Sequence, residues 1–324
     1  MYYLGIDIGS VSTDFVLINK EYLVIEKLYL KTNGKPIDAI INGLKSLSKI
    51  FNDKQISAVG VTGSGRNIGG YVVGADIVKN EITAHAIAAL HLNPKVRTII
   101  EIGGQDSKII LLENGIVVDF AMNTVCAAGT GSFLDRQAER LQIPIEALGT
   151  YALKSNMPVR IAGRCSVFAE SDMIHKQAMG YNACDIIAGL CEAMVRNYLT
   201  NVAKGKDIQD DVFFQGGVAA NSGIKAAFES ALSKKIHVPE HYNVMGAIGA
   251  GILAAEKIGA SKKTYFKGFN TSKSTFQSKS HECHGCANCC EVVTIMQDEK
   301  TLVGRFGDKC GKWSVENIIN DRTS

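Results

Sequence analysis

Two segments of the chain repeat one pattern at an offset of 94 residues. Leu4–Thr13 and Ile99–Lys108 each combine an apolar run, a carboxylate and a glycine turn, and a second apolar run follows. The aligned pairs are Asp7 with Glu101, Gly9 with Gly103, and Thr13 with Ser107. This pattern predicts a β-hairpin whose turn can bring backbone N–H groups against a phosphate. Two such hairpins predict two related halves that grip one nucleotide between them.

Length and composition allow about two domains with an appendage. The chain has 324 residues, and its net charge of +3 comes from 35 basic and 32 acidic side chains. Such a balance argues against nucleic acid or an anionic membrane as a partner. The N-terminus does not resemble a signal peptide, and no apolar run reaches the roughly 18 residues of a membrane span. We therefore expect a cytoplasmic protein, in which nine cysteines favour metal ligation over disulfides.

Strand patterns that alternate with helical patterns predict an α/β architecture. The repeat places residues 1–94, with a returning helix at 244–258, in a first subdomain. Residues 95–243 form a second subdomain that contains most of the helices. Residues 259–280 are rich in Lys, Ser and Thr, which indicates a linker. A small cysteine-rich module, residues 281–324, follows it.

The two predicted turns are the candidate phosphate site, because the chain has no Walker-type loop. Small residues let the backbone approach a phosphate, and those at the turns are Gly9, Ser10, Ser12, Thr13, Gly103 and Gly104. Asp7, Glu101 and Asp106 are the carboxylates that can hold Mg²⁺ through water and orient an attacking water, which Gln105 can help to position. After a later strand, Gly216, Gly217 and Val218 can let an adenosine lie on the backbone, with Asn221 as a polar contact. The alternative is an ordinary tight turn between strands. That reading suits a single Asp-x-Gly turn better than it suits this matched set.

Cys126 and Cys165 lie in glycine-rich segments that predict helix starts. The first continues through Gly129, Thr130 and Gly131, which are further candidate nucleotide contacts. A [4Fe–4S] cluster takes four thiolates, so two cysteines per chain predict one cluster shared by a homodimer. Helix N-termini would stabilise the thiolates. Taken singly, each cysteine could instead be a small buried apolar residue. Packing is the preferred role for Cys184 and Cys191, and the histidines that we expect to be structural or superficial are His85, His175 and His237.

The C-terminal module contains a C-x2-C pair, two adjacent cysteines and a distant fifth, which is a metal-binding pattern. One possible ligand set is Cys283, Cys286, Cys290 and Cys310. Cys289 could replace Cys290 or remain a free thiol. An iron–sulfur cluster, slightly favoured, would make the module an electron relay, whereas zinc would make it a structural site. A module without metal is the remaining alternative.

Residues 2–258 resemble the activator ATPases of 2-hydroxyacyl-CoA dehydratases and benzoyl-CoA reductases. That family is part of the superfamily of acetate and sugar kinases, heat-shock chaperones and actin. The matching motifs are Gly5–Ser10, Glu101–Asp106, Asn123–Gly131, Ala162–Cys165 and Gly216–Ala219. The resemblance implies two actin-like (ribonuclease H-like) subdomains around a nucleotide cleft. It also implies that a homodimer hydrolyses ATP and transfers one low-potential electron, with Cys126 and Cys165 as the cluster ligands.

The leading functional prediction is therefore an ATPase coupled to electron transfer. A ferredoxin or flavodoxin would reduce the shared cluster. The acceptor would be an iron–sulfur protein of the 2-hydroxyacyl-CoA dehydratase or double-cubane-cluster type. One rival is a small-molecule kinase of the same superfamily, which needs a general base near the γ-phosphate. Another is a metal-dependent binding module that uses nucleotide as a switch.

Overall fold

The computed structural model describes residues 1–123, 126–259 and 263–313. Thr124 and Val125 of the first cysteine motif and the last residues of the C-terminal module lie outside the described residues. The chain divides into two compact units. Unit 1 contains Met1–Ala88 and the described residues from Gly246 onward, and unit 2 is Ala89–Met245. Among the described residues, no helix has both the length and the apolar character needed to cross a bilayer.

Unit 1 is built on a five-stranded sheet in which the predicted hairpin forms two central strands. The strands are β1 (Tyr2–Ile8), β2 (Ser12–Ile18), β3 (Val24–Lys31), β4 (Ile56–Thr62) and β5 (Ile77–Val78), in the order β3-β2-β1-β4-β5. The first three strands are antiparallel, while β4 and β5 continue the sheet parallel to β1. The helices of this part of the chain are α1 (Pro36–Leu47), α2 (Arg66–Val73) and α3 (Glu81–Leu92).

Unit 2 repeats this sheet. Its strands are β6 (Thr98–Ile102), β7 (Ser107–Glu113), β8 (Ile116–Asn123), β9 (Val212–Gln215) and β10 (Ile236–His237), in the order β10-β9-β6-β7-β8. Its helices are α4 (Gly131–Leu141), α5 (Leu148–Leu153), α6 (Ser166–Ala178), α7 (Ala183–Asn201) and α8 (Ser222–Leu232). Read from the hairpin outward, the two sheets have the same order and the same strand directions. The sequence repeat is thus a repeat of topology.

A Gly- and Ala-rich helix, α9 (Met245–Ile258), packs directly on the first sheet. A Cβ atom at Gly5 would lie 1.8 Å from the carbonyl oxygen of Ala247, and one at Gly60 would lie 1.9 Å from that of Ala250. Only glycine on β1 and β4 therefore lets the helix backbone approach so closely. This contact holds the strand that carries Asp7 against the helix.

The C-terminal residues form a small antiparallel sheet that packs on unit 1. Its strands are β11 (Phe276–Glu282), β12 (Glu291–Gln297) and β13 (Thr301–Phe306). The Tyr71 hydroxyl on α2 donates to the carbonyl oxygen of Arg305 at 3.0 Å, and the Tyr71 ring stacks with Phe306. The backbone of Gly304 lies against the same ring.

The segment for which composition indicates a linker is bound to unit 1 at several points. The Asp76 carboxylate accepts hydrogen bonds from the Thr264 hydroxyl and the Tyr265 N–H, each at 2.7 Å. Asp53 accepts from the N–H of Phe269, whose ring is buried. One threonine hydroxyl and two backbone N–H groups of this segment thus donate to carboxylates of the folded unit. The domain boundaries expected from the sequence remain a prediction.

Candidate functional site

The turn of the first hairpin is held together by its own backbone and by Thr32. The Gly9 N–H donates to the Ser12 carbonyl oxygen at 2.8 Å. The Thr32 hydroxyl donates to the Gly9 carbonyl oxygen at 2.9 Å. The Thr13 hydroxyl lies 2.9 Å from that of Thr32 and is fully buried. Ser10 is exposed at the tip. The turn therefore leaves Gly9 and Ser10 accessible to solvent, while the Thr13 side chain supports the turn from inside.

Asp7, at the end of β1, lies in a cradle of glycines. A Cβ atom at Gly63, which has φ of +91°, would lie 2.4 Å from Asp7 Oδ1. One at Gly246 would lie 2.0 Å from Asp7 Oδ2 and 3.4 Å from His85 Nε2. At Gly63 and Gly246 no side chain fits beside the Asp7 carboxylate, so glycine backbone lines this carboxylate on both sides. His85, expected to be structural, is buried beside the same cradle.

Asp14 is a second carboxylate of the first hairpin, and the sequence analysis did not identify it. It lies opposite Asp7 in the β1–β2 register and is 6% exposed. Its Oδ2 accepts from the Ser12 hydroxyl, while Oδ1 has no hydrogen-bond partner among the described residues. Burial, and then the charge of Asp7, raise the pKa of Asp14 well above its ordinary value, and the Ser12 hydrogen bond opposes this only in part.

Asp14→Asn should flatten the dependence of stability on pH. Because the folded state raises the pKa of Asp14, its contribution to the free energy of unfolding falls as pH rises from the unfolded pKa towards the folded one. We expect the variant to gain about 2–4 °C in Tm over wild type at pH 8, the shift that 1 kcal/mol gives in a domain of this size, and little at pH 4. Thermal unfolding without nucleotide measures this, with exposed Glu21→Gln as the control. An equal difference between variant and wild type at both pH values would contradict the expectation.

The second hairpin carries a cation where the first carries Asp14. Lys108 Nζ lies 2.9 Å from Glu101 Oε2 and 2.9 Å from Asp106 Oδ1, and the lysine side chain is only 2% exposed. Burial raises the pKa of Glu101, and Lys108 works against that rise. The Tyr198 hydroxyl, on α7, donates to the Lys108 carbonyl oxygen at 2.6 Å. The two copies of the repeat thus differ in charge, because the first brings together two acids and the second surrounds a lysine with acids.

Two other glycine-rich segments of unit 2 lie against the glycine turn that follows Glu101. The Gly131 N–H, at the start of α4, donates to the Gly103 carbonyl oxygen at 2.9 Å. A Cβ atom at Gly131 would lie 3.2 Å from Val218 Cγ2. At Gly216, where φ is +88°, a Cβ atom would lie 2.7 Å from Glu101 Oε1. The predicted phosphate and adenosine segments of this unit are therefore neighbours.

The remaining predicted nucleotide contacts in unit 2 differ in how accessible they are. Gln105 and Gly217 are exposed, and Asp106 and Gly104 are half-buried. The buried Thr130 hydroxyl donates to the Ala127 carbonyl oxygen. Asn221 caps α8, because its Oδ1 accepts from the N–H groups of Gly223 and Ile224, and its buried Nδ2 has no partner among the described residues. The binding of a nucleotide by Asn221 stays a prediction.

Cys126 and Cys165 come from adjacent segments of unit 2. Cys165 is the N-cap residue of α6, and Cys126 precedes a short 3-10 turn that leads into α4. Cys126 Sγ lies 3.8 Å from the carbonyl oxygen of Arg164, the residue before Cys165. Asn123 holds the Cys126 backbone through both N–H and carbonyl hydrogen bonds. Both thiols are half-buried.

Asn197 on α7 joins the two cysteine segments, a role that the sequence analysis missed. Its Nδ2 lies 2.6 Å from the Gly163 carbonyl oxygen and 3.8 Å from Cys126 Sγ. Glu170 on α6 pairs with Arg140 on α4 at 2.6 Å, so the helices that follow the cysteines are also tied together. A depression of about 420 Å³ lies between their first turns.

Exposed apolar side chains lie beside both cysteine segments. Val167 and Phe168, two and three residues after Cys165, are 67% and 66% exposed. The edge strand β8 leads towards Cys126, and its exposed apolar side chains are Ile116, Val118, Phe120 and Met122. A patch of this kind is typical of a surface that another protein chain covers.

The other cysteines are divided between the core and the C-terminal sheet. Cys191 is buried, and burial raises its pKa to about 12, which suits packing. Cys184 is half-buried at the start of α7. Cys283 and Cys290 are half-buried, while Cys286, Cys289 and Cys310 are exposed. Among the described residues, the only group of three or more His, Cys, Asp or Glu side chains whose ligand atoms lie within 4.8 Å of one another is Glu282, His284 and Cys289, so the four predicted cysteine ligands are not gathered so closely.

Comparisons with known proteins agree with this geometry. The profile of the BadF/BadG/BcrA/BcrD ATPase family matches residues 4–254. The (R)-2-hydroxyglutaryl-CoA dehydratase activating ATPase of Acidaminococcus fermentans is 35% identical over 261 residues, which are 79% of this chain and 98% of the relative. The C-terminal sheet lies beyond the family match.

Two solved structures show the fold. The activator of the 2-hydroxyisocaproyl-CoA dehydratase from Clostridium difficile with bound ADPNP is similar with a TM-score of 0.72 and 33% identity, over 79% of this chain and 95% of that one. A ROK family glucokinase from Streptomyces griseus has a TM-score of 0.53 at 13% identity, over 79% and 100% of the two chains, which shows likeness of fold alone. The predicted actin-like α/β fold is confirmed.

Proposed function

Because the chain belongs to the BadF/BadG/BcrA/BcrD ATPase family, we propose that it is an ATP-dependent electron donor to an iron–sulfur enzyme. Its electron would leave a [4Fe–4S] cluster shared by two copies of the chain. The observation that carries the proposal is that the Cys126 and Cys165 segments adjoin each other in the unit whose glycine segments surround Glu101. The relatives are activators of 2-hydroxyacyl-CoA dehydratases, which supports an acceptor of that class.

The residues of unit 2 fit a nucleotide, since side chains at Gly103, Gly131 and Gly216 would fill the space around Glu101. The backbone at Gly9, Ser10, Gly103 and Gly104 would bind phosphates, and the segment from Gly216 to Val218 would face the adenosine. Asp7, Glu101 and Asp106 would hold Mg²⁺ through water, and the exposed Gln105 would orient the attacking water. ATP supplies the free energy that makes the electron transfer one-way.

The two cysteines also fit half of a cluster site. Both are half-buried at the N-terminal side of helical segments, where backbone N–H groups and the helix dipole favour thiolate. Asn197 places an amide N–H 3.8 Å from Cys126 Sγ, and hydrogen bonds to sulfur set the reduction potential of a cluster. A bound cluster supplies the one-electron chemistry. The Arg140–Glu170 ion pair would make α4 and α6 move together.

Cluster sharing requires a second copy of the chain at this surface. Four thiolates and two cysteines per chain give a dimer with a two-fold axis through the cluster. Val167 and Phe168, exposed in the first turn of α6, would be covered by the partner copy. A ferredoxin or flavodoxin would supply the electron. The acceptor would be of the dehydratase or double-cubane-cluster type.

The proposal is tested on full-length protein purified without oxygen. We expect a brown dimer with at least four iron and four sulfide per two chains, and a reduction potential that changes when ATP is added. Redox titration with and without ATP, mass measurement by light scattering, and analysis for iron and sulfide give the three readouts. A complete cluster in each monomer, or a potential that is unchanged by ATP, would contradict the proposal.

The rival functions give different results in the same preparation. A phosphorylated small molecule formed by an iron-free protein would indicate a kinase. Tight ATP binding without any redox-active iron would indicate a nucleotide-switched binding module. No contact among the described residues favours either rival over the electron donor, since the glucokinase likeness concerns the fold alone.

A further inference from the structure

The cysteine-bearing loop between β11 and β12 extends the hairpin register. Glu282 pairs with Glu291, and the next residues inward continue the pattern, because the Cys283 N–H donates to the Cys290 carbonyl oxygen at 2.8 Å. Cys283 and Cys290 are therefore directly opposite each other. Opposite residues of an antiparallel pair project on the same face, with Cβ atoms about 4.5–5.5 Å apart. The hairpin thus places two thiols side by side on one face.

The segment after β13 crosses the same face. The Trp313 indole Nε1–H donates to Cys283 Sγ at 3.2 Å, and its ring meets His281 edge-on at 5.0 Å. Asp308 Oδ2 accepts from the Trp313 N–H at 2.9 Å and lies 3.9 Å from Cys310 Sγ. These contacts fold residues 308–313 into a tight loop, which is tied to Cys283 and carries Cys310.

Topology brings Cys310 to the cysteine end of the hairpin. Because β13 runs antiparallel to β12, it ends beside the residue where β12 begins. A Cβ atom at Gly307 would lie 2.2 Å from the carbonyl oxygen of Glu291, so the two backbones touch there. Cys286 lies in the hairpin loop between Cys283 and Cys290. Four cysteines from two separate segments therefore lie at one end of the sheet.

The opposite face of the hairpin carries a different set of side chains. Glu282 and His284 flank Cys283 in sequence and so project away from it. Their ligand atoms and the Cys289 thiol lie within 4.8 Å of one another, and all three residues are exposed. Cys289, with φ of +43°, is thus turned away from the face of Cys283 and Cys290.

We propose that Cys283, Cys286, Cys290 and Cys310 form a tetrathiolate metal centre under Trp313, with Cys289 left as a free thiol on the other face. Zinc and an iron–sulfur cluster both use four such thiolates. With metal–sulfur distances of about 2.3 Å, a tetrahedral site needs sulfurs about 3.8 Å apart, so metal binding would draw these four thiols closer together. Binding releases the thiol protons and changes no oxidation state. This centre is separate from Cys126 and Cys165 and goes beyond the proposed electron donor.

The small sheet gives the metal a structural role. Its fully or nearly buried apolar residues are Val292, Ile295 and Val303, and the last two pack into the core of unit 1, so the sheet has little apolar core of its own. Metal binding to such a module contributes directly to its folding free energy. Tyr71 connects the sheet to α2, so loss of the metal should loosen that contact as well.

The test uses the full-length chain with Cys126→Ser, so that any shared cluster is absent and the remaining metal belongs to the module. We expect about one zinc, or one complete iron–sulfur cluster, per chain, and metal and sulfide analysis tells these apart. Cys286→Ser, Cys290→Ser and Cys310→Ser in this background should each lower the metal content at least ten-fold. Cys289→Ser is the matched control and should keep it.

A spectroscopic readout keeps the test valid if a variant binds metal weakly or folds poorly. Co²⁺ added to the metal-free background protein should give the intense thiolate-to-metal absorption of a tetrahedral four-sulfur site, and Cys289→Ser should leave it unchanged. A background protein that binds neither metal nor Co²⁺ would overturn the proposal. So would loss of metal in Cys289→Ser together with retention in Cys290→Ser. Neither result bears on the cluster at Cys126 and Cys165, which is measured in the chain without these changes.

Discussion

Lys108→Met should destabilise unit 2 by about 3–5 kcal/mol, because it leaves the buried carboxylate of Glu101 without its cation. The lysine side chain is 2% exposed and lies 2.9 Å from an oxygen of both Glu101 and Asp106. Methionine keeps most of the volume and removes the charge together with the N–H donors of the ammonium group. Without Lys108, the pKa of Glu101 should rise further, since burial already raises it and the lysine opposes that rise. Thermal unfolding of the nucleotide-free protein should show Tm lowered by at least about 6 °C.

Two further variants identify the cause of that loss. Lys225→Met removes a partly exposed pair four residues apart on α8 and should cost no more than about 0.5 kcal/mol. Glu101→Gln combined with Lys108→Met removes both charges and should restore part of the lost stability. If Lys108→Met unfolded at the same temperature as Lys225→Met, the cation would not be neutralising a buried acid.

The sequence predicts the central strands of both sheets because they carry the strongest patterns. The second apolar runs of the two repeats fall inside β2 and β7, and the strand expected before the glycine pair is β9, Val212–Gln215, with the same bounds. These strands are buried on both faces, so their sequences are almost continuously apolar. The repeated hairpin pattern then predicts that the two strands of each hairpin pair with each other. The sequence thus predicts two related halves, whereas the strand order of each sheet comes from the structure.

Two edge strands, β3 and β8, are not predicted from the sequence, and the reason differs between them. β3 alternates between half-buried and exposed residues and contains several charges, so it has no strong apolar run. β8 has apolar residues on its exposed face, a pattern that local sequence does not distinguish from a core strand. What separates these strands from the rest is the neighbour they lack, which is a tertiary property.

The charges of the site depend on burial, which a sequence does not show. Asp14 and Lys108 occupy equivalent places in the repeat, and that difference in sign is visible at an offset of 94 residues. The effect of this difference is seen only in the structure. Burial raises the pKa of the Asp14 carboxyl, and it places Lys108 between the carboxylates of Glu101 and Asp106. The role of Asn197 is harder still to predict from the sequence. It is an amide on a largely apolar helix, and its two partners are 34 and 71 residues away.

Cys126→Ser should remove the proposed shared cluster while leaving nucleotide binding intact. The change replaces two of the four ligands in a dimer, because each chain contributes the same residue, and a serine hydroxyl does not ionise as a thiol does. Iron should fall to the amount held by the C-terminal module, and ATP-dependent electron transfer should fall at least 100-fold. The affinity for ATP should change by less than about three-fold, since Cys126 Sγ contacts Arg164 and Asn197 and neither belongs to the predicted phosphate turns.

Cys184→Ser is the matched control for that variant. Cys184 is half-buried like Cys126 and lies in unit 2, but it is inside the first turn of α7 and outside both cysteine motifs. It should keep full iron, the dimer and ATP-dependent electron transfer. Iron analysis, light scattering and ATP titration are compared for the two variants under the same anaerobic conditions. Equal iron in Cys126→Ser and Cys184→Ser would remove Cys126 from the ligand set, and with it the reason for placing a cluster on the two-fold axis.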